Sequence, residues 1–455
     1  MLRYRASCKA TREILRWGPI CGTRMIDAET EGLFTIQNQR RRSREPCWFN
    51  DVCGGQYGLA SSPESEESRE IPALIRACPG AAPGLIIIKM SLFDRLSALV
   101  DAAHDDKCSE RSFSLRQFVH MARTPRGACP ILKVAMTSAC ENNCYYCALR
   151  RDRDARRTRI TPDEMARAFM ELRAKGVVEG IFLTSGVRGG PVRSMDEILA
   201  TGELLRRKYG FKGYIHLKIM PGADEAQIEA ACRLADRVSV NLEAPNPERL
   251  SRLSPDKSFR DELGKAIREI KSILERTGLR SGQTTQMVVG AAGESDREIL
   301  ATTEKLYKAF GLKRVYYSPF RPVPGTPLEE MPPENPKRTA RLYQADFLIR
   351  EYGFSADDLP VDEDGRLRSG ADPKMAWARL HPERFPVDIA RADYQELILV
   401  PGIGPKTAKK ILQHRARYGI SQADLRGLGV IMKRAGEFIT VKGKKAVAGK
   451  ALSLF

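Results

Sequence analysis

Three cysteines stand close together in Cys140-Glu141-Asn142-Asn143-Cys144-Tyr145-Tyr146-Cys147, at the spacing C-x3-C-x2-C, directly behind an apolar run from Ile131 to Met136. Thiolates are the ligands of iron–sulfur clusters, and three on one short loop suit a [4Fe–4S] cluster with one iron left open. A structural zinc site wants a fourth Cys or His nearby, and the next histidine downstream is His216. An odd number of sulfurs fits a disulfide framework poorly. The other cysteines, among them Cys108, Cys129 and Cys232, show no framework spacing.

A loop that carries a cluster needs a rigid frame. From Ile131 onward, strand-like runs alternate with helical patterns. The candidate strands are Ile131–Thr137, Gly180–Ser185, Gly213–Ile219, Arg237–Glu243, Thr284–Gly290 and Arg314–Phe320. Thr161-Pro162-Asp163-Glu164 opens one helix with a capping residue, a first-turn proline and early acids. Further helices are expected over Ser194–Tyr209, Asp224–Leu234, Phe259–Thr277 and Glu294–Phe310. Strand–helix alternation argues a parallel sheet with helices outside. The expected fold is α/β: a partial (β/α)6 TIM-like barrel followed by a small all-α domain. In such barrels sites gather at the C-terminal ends of strands, which is where the cysteine loop falls. The expected division is an extension or mis-assigned start at 1–89, a helix and loop at 90–130, the barrel at 131–325, a helical link at 326–390 and a C-terminal module at 391–455. Residues 109–128 read as polar, basic loop.

The cysteine spacing, with Tyr146 just before the last Cys, resembles the radical S-adenosylmethionine (SAM) superfamily. The resemblance implies that the open iron chelates the amino and carboxylate groups of SAM, and that one electron then cleaves the sulfonium to a 5′-deoxyadenosyl radical. It further implies an electron donor such as flavodoxin or ferredoxin, and places Tyr146 beside the adenine. Ser185 and Gly186 follow the second strand, where the family carries a glycine-rich motif that meets the amino group of SAM. Asn241 and Glu243 end the fourth strand with groups suited to ribose hydroxyls or the methionyl group. Gly290-Ala291-Ala292-Gly293-Glu294 resembles a G-x-x-G-E stretch that lets backbone approach adenine and then caps a helix. His216 and Lys218 alternate along the third strand; a satisfied strand histidine is the expectation for His216, while Lys218 could face the barrel mouth. Tyr316 could relay a hydrogen atom or stack a base, with packing the default for strand aromatics. Cys108, Cys129, Cys232 and Tyr316 are the candidate hydrogen-atom donors.

The C-terminal stretch from Leu397 through Pro401-Gly402-Ile403-Gly404-Pro405-Lys406-Thr407 to Ile411 reads as helix, Gly-x-Gly turn, helix. It resembles the helix-hairpin-helix DNA-binding motif, with Gly402, Gly404, Lys406, Thr407, Lys409 and Lys410 as the residues carried over. Backbone N–H groups at the start of the second helix suit a phosphate. A weaker copy runs from Asp424 to Val430. Paired hairpins would grip phosphates without reading sequence.

The bulk composition agrees. Of the net charge of +18, 13 Lys+Arg against 4 Asp+Glu from Arg391 onward contribute +9, half of the excess. Such charge suggests a polyanionic partner. No apolar run approaches the roughly 20 residues that span a bilayer, and the cysteine usage suits a reducing cytosol, so a cytoplasmic location without a membrane partner is expected. From Met90 to the end, the chain resembles radical SAM proteins with a C-terminal helix-hairpin-helix module, described as DNA modification or repair proteins and distantly similar to spore photoproduct lyase. The implied function is nucleotide repair or modification in DNA. The alternatives are a tRNA- or RNA-modifying radical SAM enzyme and a non-catalytic Fe–S redox sensor that binds DNA.

Overall fold

The computed structural model describes residues 92–104, 119–124, 127–279, 282–368 and 370–446. The 1–89 extension and Cys108 lie outside the described residues.

Helix α1 (Leu92–His104) buries Leu96, Leu99 and Val100. The stretch expected as loop contains a strand, β1 (Val119–Thr124), antiparallel to β2 (Gly127–Ala135), with Val119 opposite Leu132 and Thr124 opposite Gly127. Its sequence, VHMART, carries little period-two signal because β1 is an edge strand with one neighbour, and His120 and Met121 are exposed. Five further strands follow β2 in sequence order, each parallel to the last: β3 (Gly180–Thr184), β4 (Ile215–Lys218), β5 (Arg237–Ser239), β6 (Gly282–Val289) and β7 (Arg314–Pro319). The sheet curls into a half-barrel.

The two faces of the sheet differ in chemistry. Leu132, Val134, Ile181, Leu183, Ile215, Leu217 and Val238 are all buried on the convex face, beneath α2 (Pro162–Ala174), α3 (Gly190–Glu203), α4 (Glu225–Leu234), α6 (Lys265–Thr277) and α7 (Asp296–Phe310), while the short α5 (Pro247–Ser251) lies between β5 and α6 in the chain. Burying each such aliphatic side chain contributes about 1.5–3 kcal/mol, which fixes the register of every strand. The alternate positions point into the concavity and are mostly polar.

Local signals set the helix ends. At α2 the Thr161 hydroxyl accepts from the Glu164 N–H, and the Glu164 carboxylate accepts from the Thr161 N–H at 3.0 Å. Such a cap is worth about 1 kcal/mol. Arg95 of α1 donates to the same carboxylate at 2.6 Å, and this hydrogen bond holds Glu164 down to about 2. The outer edge of β7 is closed by Tyr343 of α8 (Pro336–Tyr352), whose hydroxyl accepts from Tyr317 N–H at 3.0 Å and donates to its carbonyl at 3.3 Å.

Beyond α9 (Pro373–Leu380) the C-terminal region holds β8 (Val387–Asp388), α10 (Tyr394–Leu399), α11 (Pro405–Tyr418), α12 (Asp424–Gly427), α13 (Met432–Ala435), β9 (Ile439–Val441) and β10 (Lys444–Lys445). It is helical apart from a three-stranded sheet in the order β10-β9-β8. The β-branched Val387, Ile439, Thr440 and Val441 favour that addition.

Candidate active site

The cysteine loop leaves β2 and returns beside it, with Ser138 N–H donating to Thr158 O at 2.9 Å and Ile160 N–H to Met136 O at 3.0 Å. Arg157 organises the loop from within. Its guanidinium donates to the carbonyls of Ser138, Leu149, Arg150 and Arg153 at 2.6–2.9 Å, using the fixed fork of donors that only arginine offers. A second clamp comes from the segment after α5. Tyr145 N–H donates to Leu253 O at 2.8 Å, Asn143 N–H donates to the Asp256 carboxylate, and Cys144 Sγ lies 3.2 Å from Ser254 Oγ.

Backbone N–H groups point at two of the sulfurs: Val187 at Cys140 Sγ and Leu149 at Cys147 Sγ, each at 3.4 Å. Such donors stabilise thiolate over thiol. Among the described residues no three His, Cys, Asp or Glu side chains converge as ligands of a single ion would. The loop offers three thiols, one sulfur for each of three irons of a polynuclear cluster. The donor set therefore fits a [4Fe–4S] cluster.

Gly186 shows why the loop after β3 needs a glycine. A Cβ there would lie 2.2 Å from Ala139 O and 3.2 Å from Cys140 Cβ. The side chain is absent so that this turn can lie against the cysteine loop, and Gly186 N–H donates to Thr137 O at 3.0 Å. The hydroxyl of the neighbouring Ser185 is buried without a protein partner.

Glu243 ends the β5 line in a left-handed conformation, φ 63°. A non-glycine residue held there costs about 1 kcal/mol or more. Two hydrogen bonds enforce it: Glu243 N–H to Gln286 O at 2.9 Å and Val288 N–H to Glu243 O at 2.8 Å. The side chain is only 3% exposed and accepts from Lys257 Nζ at 3.0 Å and from the Tyr146 hydroxyl. Burial alone would raise its pKa, but the charges of Lys257 and Lys218 and the hydrogen bonds from Lys257 and Tyr146 outweigh it, so Glu243 titrates below the ordinary range. Burial likewise opposes charge on Lys257, yet Cys144, Glu243 and Cys147 hold it firmly protonated. The structure thus joins Tyr146, Glu243 and the cysteines through Lys257. Asn241, two residues earlier, is half-buried.

Gly290 has φ 100°, and its missing Cβ would meet the Glu334 carboxylate at 2.4 Å. Glu294 turns back to accept from Gly290 N–H at 2.6 Å and Ala292 N–H at 3.1 Å. The cap of the following helix falls one residue later than expected, on Ser295.

Of the candidate hydrogen-atom donors, Tyr316 faces the concavity. Cys129 lies at the N-terminal end of β2 beside Glu179. Cys232 is buried in α4, and burial pushes its thiol up to about 12. His216 is satisfied as a strand histidine, 2.9 Å from Ser239 Oγ and stacked on Phe182.

In the C-terminal region, Gly402 has φ 85°, and a Cβ there would lie 2.8 Å from Ile431 O. Ile431 N–H donates to Gly402 O at 3.0 Å, and Thr407 Oγ1 to Gly429 O at 3.4 Å, so the two turns lock together. Thr407 is therefore turned inward and buried rather than presented to a ligand. Gly404 caps α11 with no side chain over the helix end. Lys406, Lys409 and Lys410 are exposed on the first turns of α11.

Residues 134–306 match the model of the Radical SAM superfamily, and residues 387–414 that of the helix-hairpin-helix motif. The chain carries a radical SAM domain with a helix-hairpin-helix motif behind it. Radical SAM domains use a [4Fe–4S] cluster and SAM. The [FeFe] hydrogenase maturase subunit HydE of Thermotoga maritima is 28% identical over 43% of this chain and 52% of its own length. The threonylcarbamoyladenosine tRNA methylthiotransferase MtaB of the same organism is 26% identical over 45% and 48%. The chain spans about half the length of these relatives. The crystal structure of methylornithine synthase (PylB) is 17% identical over 48% of this chain and 61% of that one, with a TM-score of 0.40. Among the described residues no helix is long and apolar enough to cross a membrane.

Three parts of the radical SAM domain and its hairpin were not evident from the sequence. Arg157 and the Ser254–Lys257 segment secure the cysteine loop. Lys374 of α9, 7% exposed, donates to Ile403 O inside the hairpin turn at 2.6 Å and lies over the Tyr352 ring at 4.5 Å. Burial pushes its ammonium down to about 7. Each acts through contacts made across the fold, and the one local signal was a lysine in the long connection after the fourth parallel strand.

Proposed function

We propose that the chain is a radical SAM enzyme that acts on a nucleotide in DNA, repairing or modifying it. Cys140, Cys144 and Cys147 would hold the cluster, and Tyr146, Ser185, Gly186, Asn241, Glu243 and Gly290 would line the SAM site. Bound there, the cluster and SAM supply reductive formation of a 5′-deoxyadenosyl radical. The protein's own residues hold and shield. Lys257 and Tyr146 fix the Glu243 carboxylate, and the sheet encloses the reacting space.

The observation that carries the nucleic-acid reading is the end of α11. Gly404 brings no side chain over the helix start, and Lys406, Lys409 and Lys410 are exposed on its first turns, a set that suits backbone phosphate. RNA modification is the second reading, favoured by the similarity to a tRNA methylthiotransferase. The test uses duplex DNA and structured RNA deuterated at the sugars and bases, incubated anaerobically with the loaded protein, SAM and dithionite. Deuterium in 5′-deoxyadenosine from the DNA reaction supports the first reading. Deuterium from RNA alone transfers the proposal to RNA, and from neither refutes both.

A further inference from the structure

The concave face of the half-barrel has a composition that the cluster site does not explain. Lys133, Lys218, Arg237 and Arg314 occupy inward positions on β2, β4, β5 and β7. No inward position within these six parallel strands is Asp or Glu. Glu243, at the rim, is engaged by Lys257 and Tyr146 and also feels the charge of Lys218. Four cations on one concavity raise a positive potential, offset in part by Glu243 near Lys218 and by Asp346 near Arg314. His216, in their midst, registers it: burial foremost, then Arg237, Lys133 and Lys218, hold its pKa well below the ordinary value.

A second observation is independent of charge. Arg237 Nε, Arg314 Nε and Thr284 Oγ1 are buried on this face with no hydrogen-bond partner in the protein. Buried polar atoms are almost always satisfied, so a ligand or ordered water is needed to meet these three. Beside them stands Tyr316, 38% exposed, with its hydroxyl 3.4 Å from an Arg237 terminal nitrogen and its ring 6.0 Å from the Arg314 guanidinium. An aromatic ring left open next to two guanidinium groups suits a planar group joined to an anion.

We propose that this face is a nucleotide site: Lys218, Arg237 and Arg314 take the phosphate, and the base stacks on Tyr316. The inference builds on the nucleic-acid reading above, from which the nucleotide would come as one unit extruded from a strand. Extrusion into a pocket is what chemistry on a paired base requires, and stacking on an aromatic ring is tolerant of base identity.

The test is binding of 2-aminopurine deoxyribonucleoside 5′-monophosphate, and of the nucleoside without phosphate, to the full cluster-loaded protein, read by 2-aminopurine fluorescence. The monophosphate should bind at least tenfold more tightly than the nucleoside. R237Q and R314Q should each erase most of that preference, with K218Q as the milder third variant. Y316L should keep the phosphate preference and lose the stacking quench. Equal binding of the two ligands overturns the proposal, as does a preference untouched in R237Q, R314Q and K218Q with iron content and melting temperature at wild-type values. A hairpin variant, K406Q/K409Q/K410Q, should bind the monophosphate normally while binding duplex DNA only weakly. Monophosphate binding with no duplex or RNA binding by the wild type would uphold the site, name a free nucleotide as its ligand and refute the nucleic-acid reading alone. Duplex binding with no phosphate preference would refute the site alone.

Discussion

Replacing Lys406, Lys409 and Lys410 together by glutamine should flatten the salt dependence of duplex binding. The three lysines are exposed and follow one another at spacings of three and one on the first turns of α11, so all can reach one run of backbone. Each phosphate contact releases counterions worth a slope of about 0.9 in log K against log salt, so three contacts contribute about 2.7. Between 50 and 200 mM salt, a fourfold change, that slope corresponds to about a 40-fold loss of affinity in the wild type beyond the loss in the variant. The N–H groups of the helix start remain in the variant, so weak binding with a shallow slope should persist. Fluorescence anisotropy of a labelled duplex, titrated at four salt concentrations, reads both slopes. Parallel slopes for wild type and variant would refute the assignment of phosphate contacts to this helix, even if overall affinity fell.

Lys257→Met leaves Glu243 buried without its partner, and should lower stability by about 3–5 kcal/mol, with loss of bound iron on desalting. E243Q/K257M should recover part of the melting temperature, and a double variant no better than K257M would contradict the pairing. Glu164 is held down to about 2 chiefly by Arg95. A depressed carboxylate contributes stability that is complete above its ordinary value near 4.5 and lost as pH falls toward 2. Melting temperature should therefore fall more steeply with acid over that window in the wild type than in Arg95→Leu. Gly402→Val combines a left-handed backbone with a Cβ 2.8 Å from Ile431 O; it should destabilise the C-terminal region by about 1–3 kcal/mol, seen as early proteolysis after α9.

What could be read from the sequence was what is local. The three thiols suggest a cluster because their spacing on one loop offers three sulfur ligands together. Strands β2 to β7 are legible because Leu132, Val134, Ile181 and Leu183 alternate with residues that do not face the helices, and the hairpin is legible because Gly402 must take a positive φ. Long-range contacts were not legible. Lys257 meets Glu243 across 14 positions and Lys374 meets Ile403 across 29, and neither has a periodic signature. Strand β1 was hidden because an edge strand with one neighbour, His120 and Met121 both exposed, lacks the alternation of a buried strand. Thr407 sits in the motif that suggests a ligand contact, yet packing against the second turn takes its hydroxyl inward. Gly186 was visible as a glycine after a strand, but its reason, the Ala139 carbonyl pressed against it, exists only in three dimensions.

The central claim is that this radical SAM domain is directed at nucleic acid by the hairpin behind it. Its most direct test is 5′-deoxyadenosine formation by the anaerobically loaded protein with SAM and reductant, with and without duplex DNA, beside Cys144→Ala and K406Q/K409Q/K410Q. The account predicts product that depends on Cys144, rises with DNA and loses that rise in the hairpin variant. Product that ignores both DNA and RNA, or a rise that survives in the hairpin variant, would contradict it.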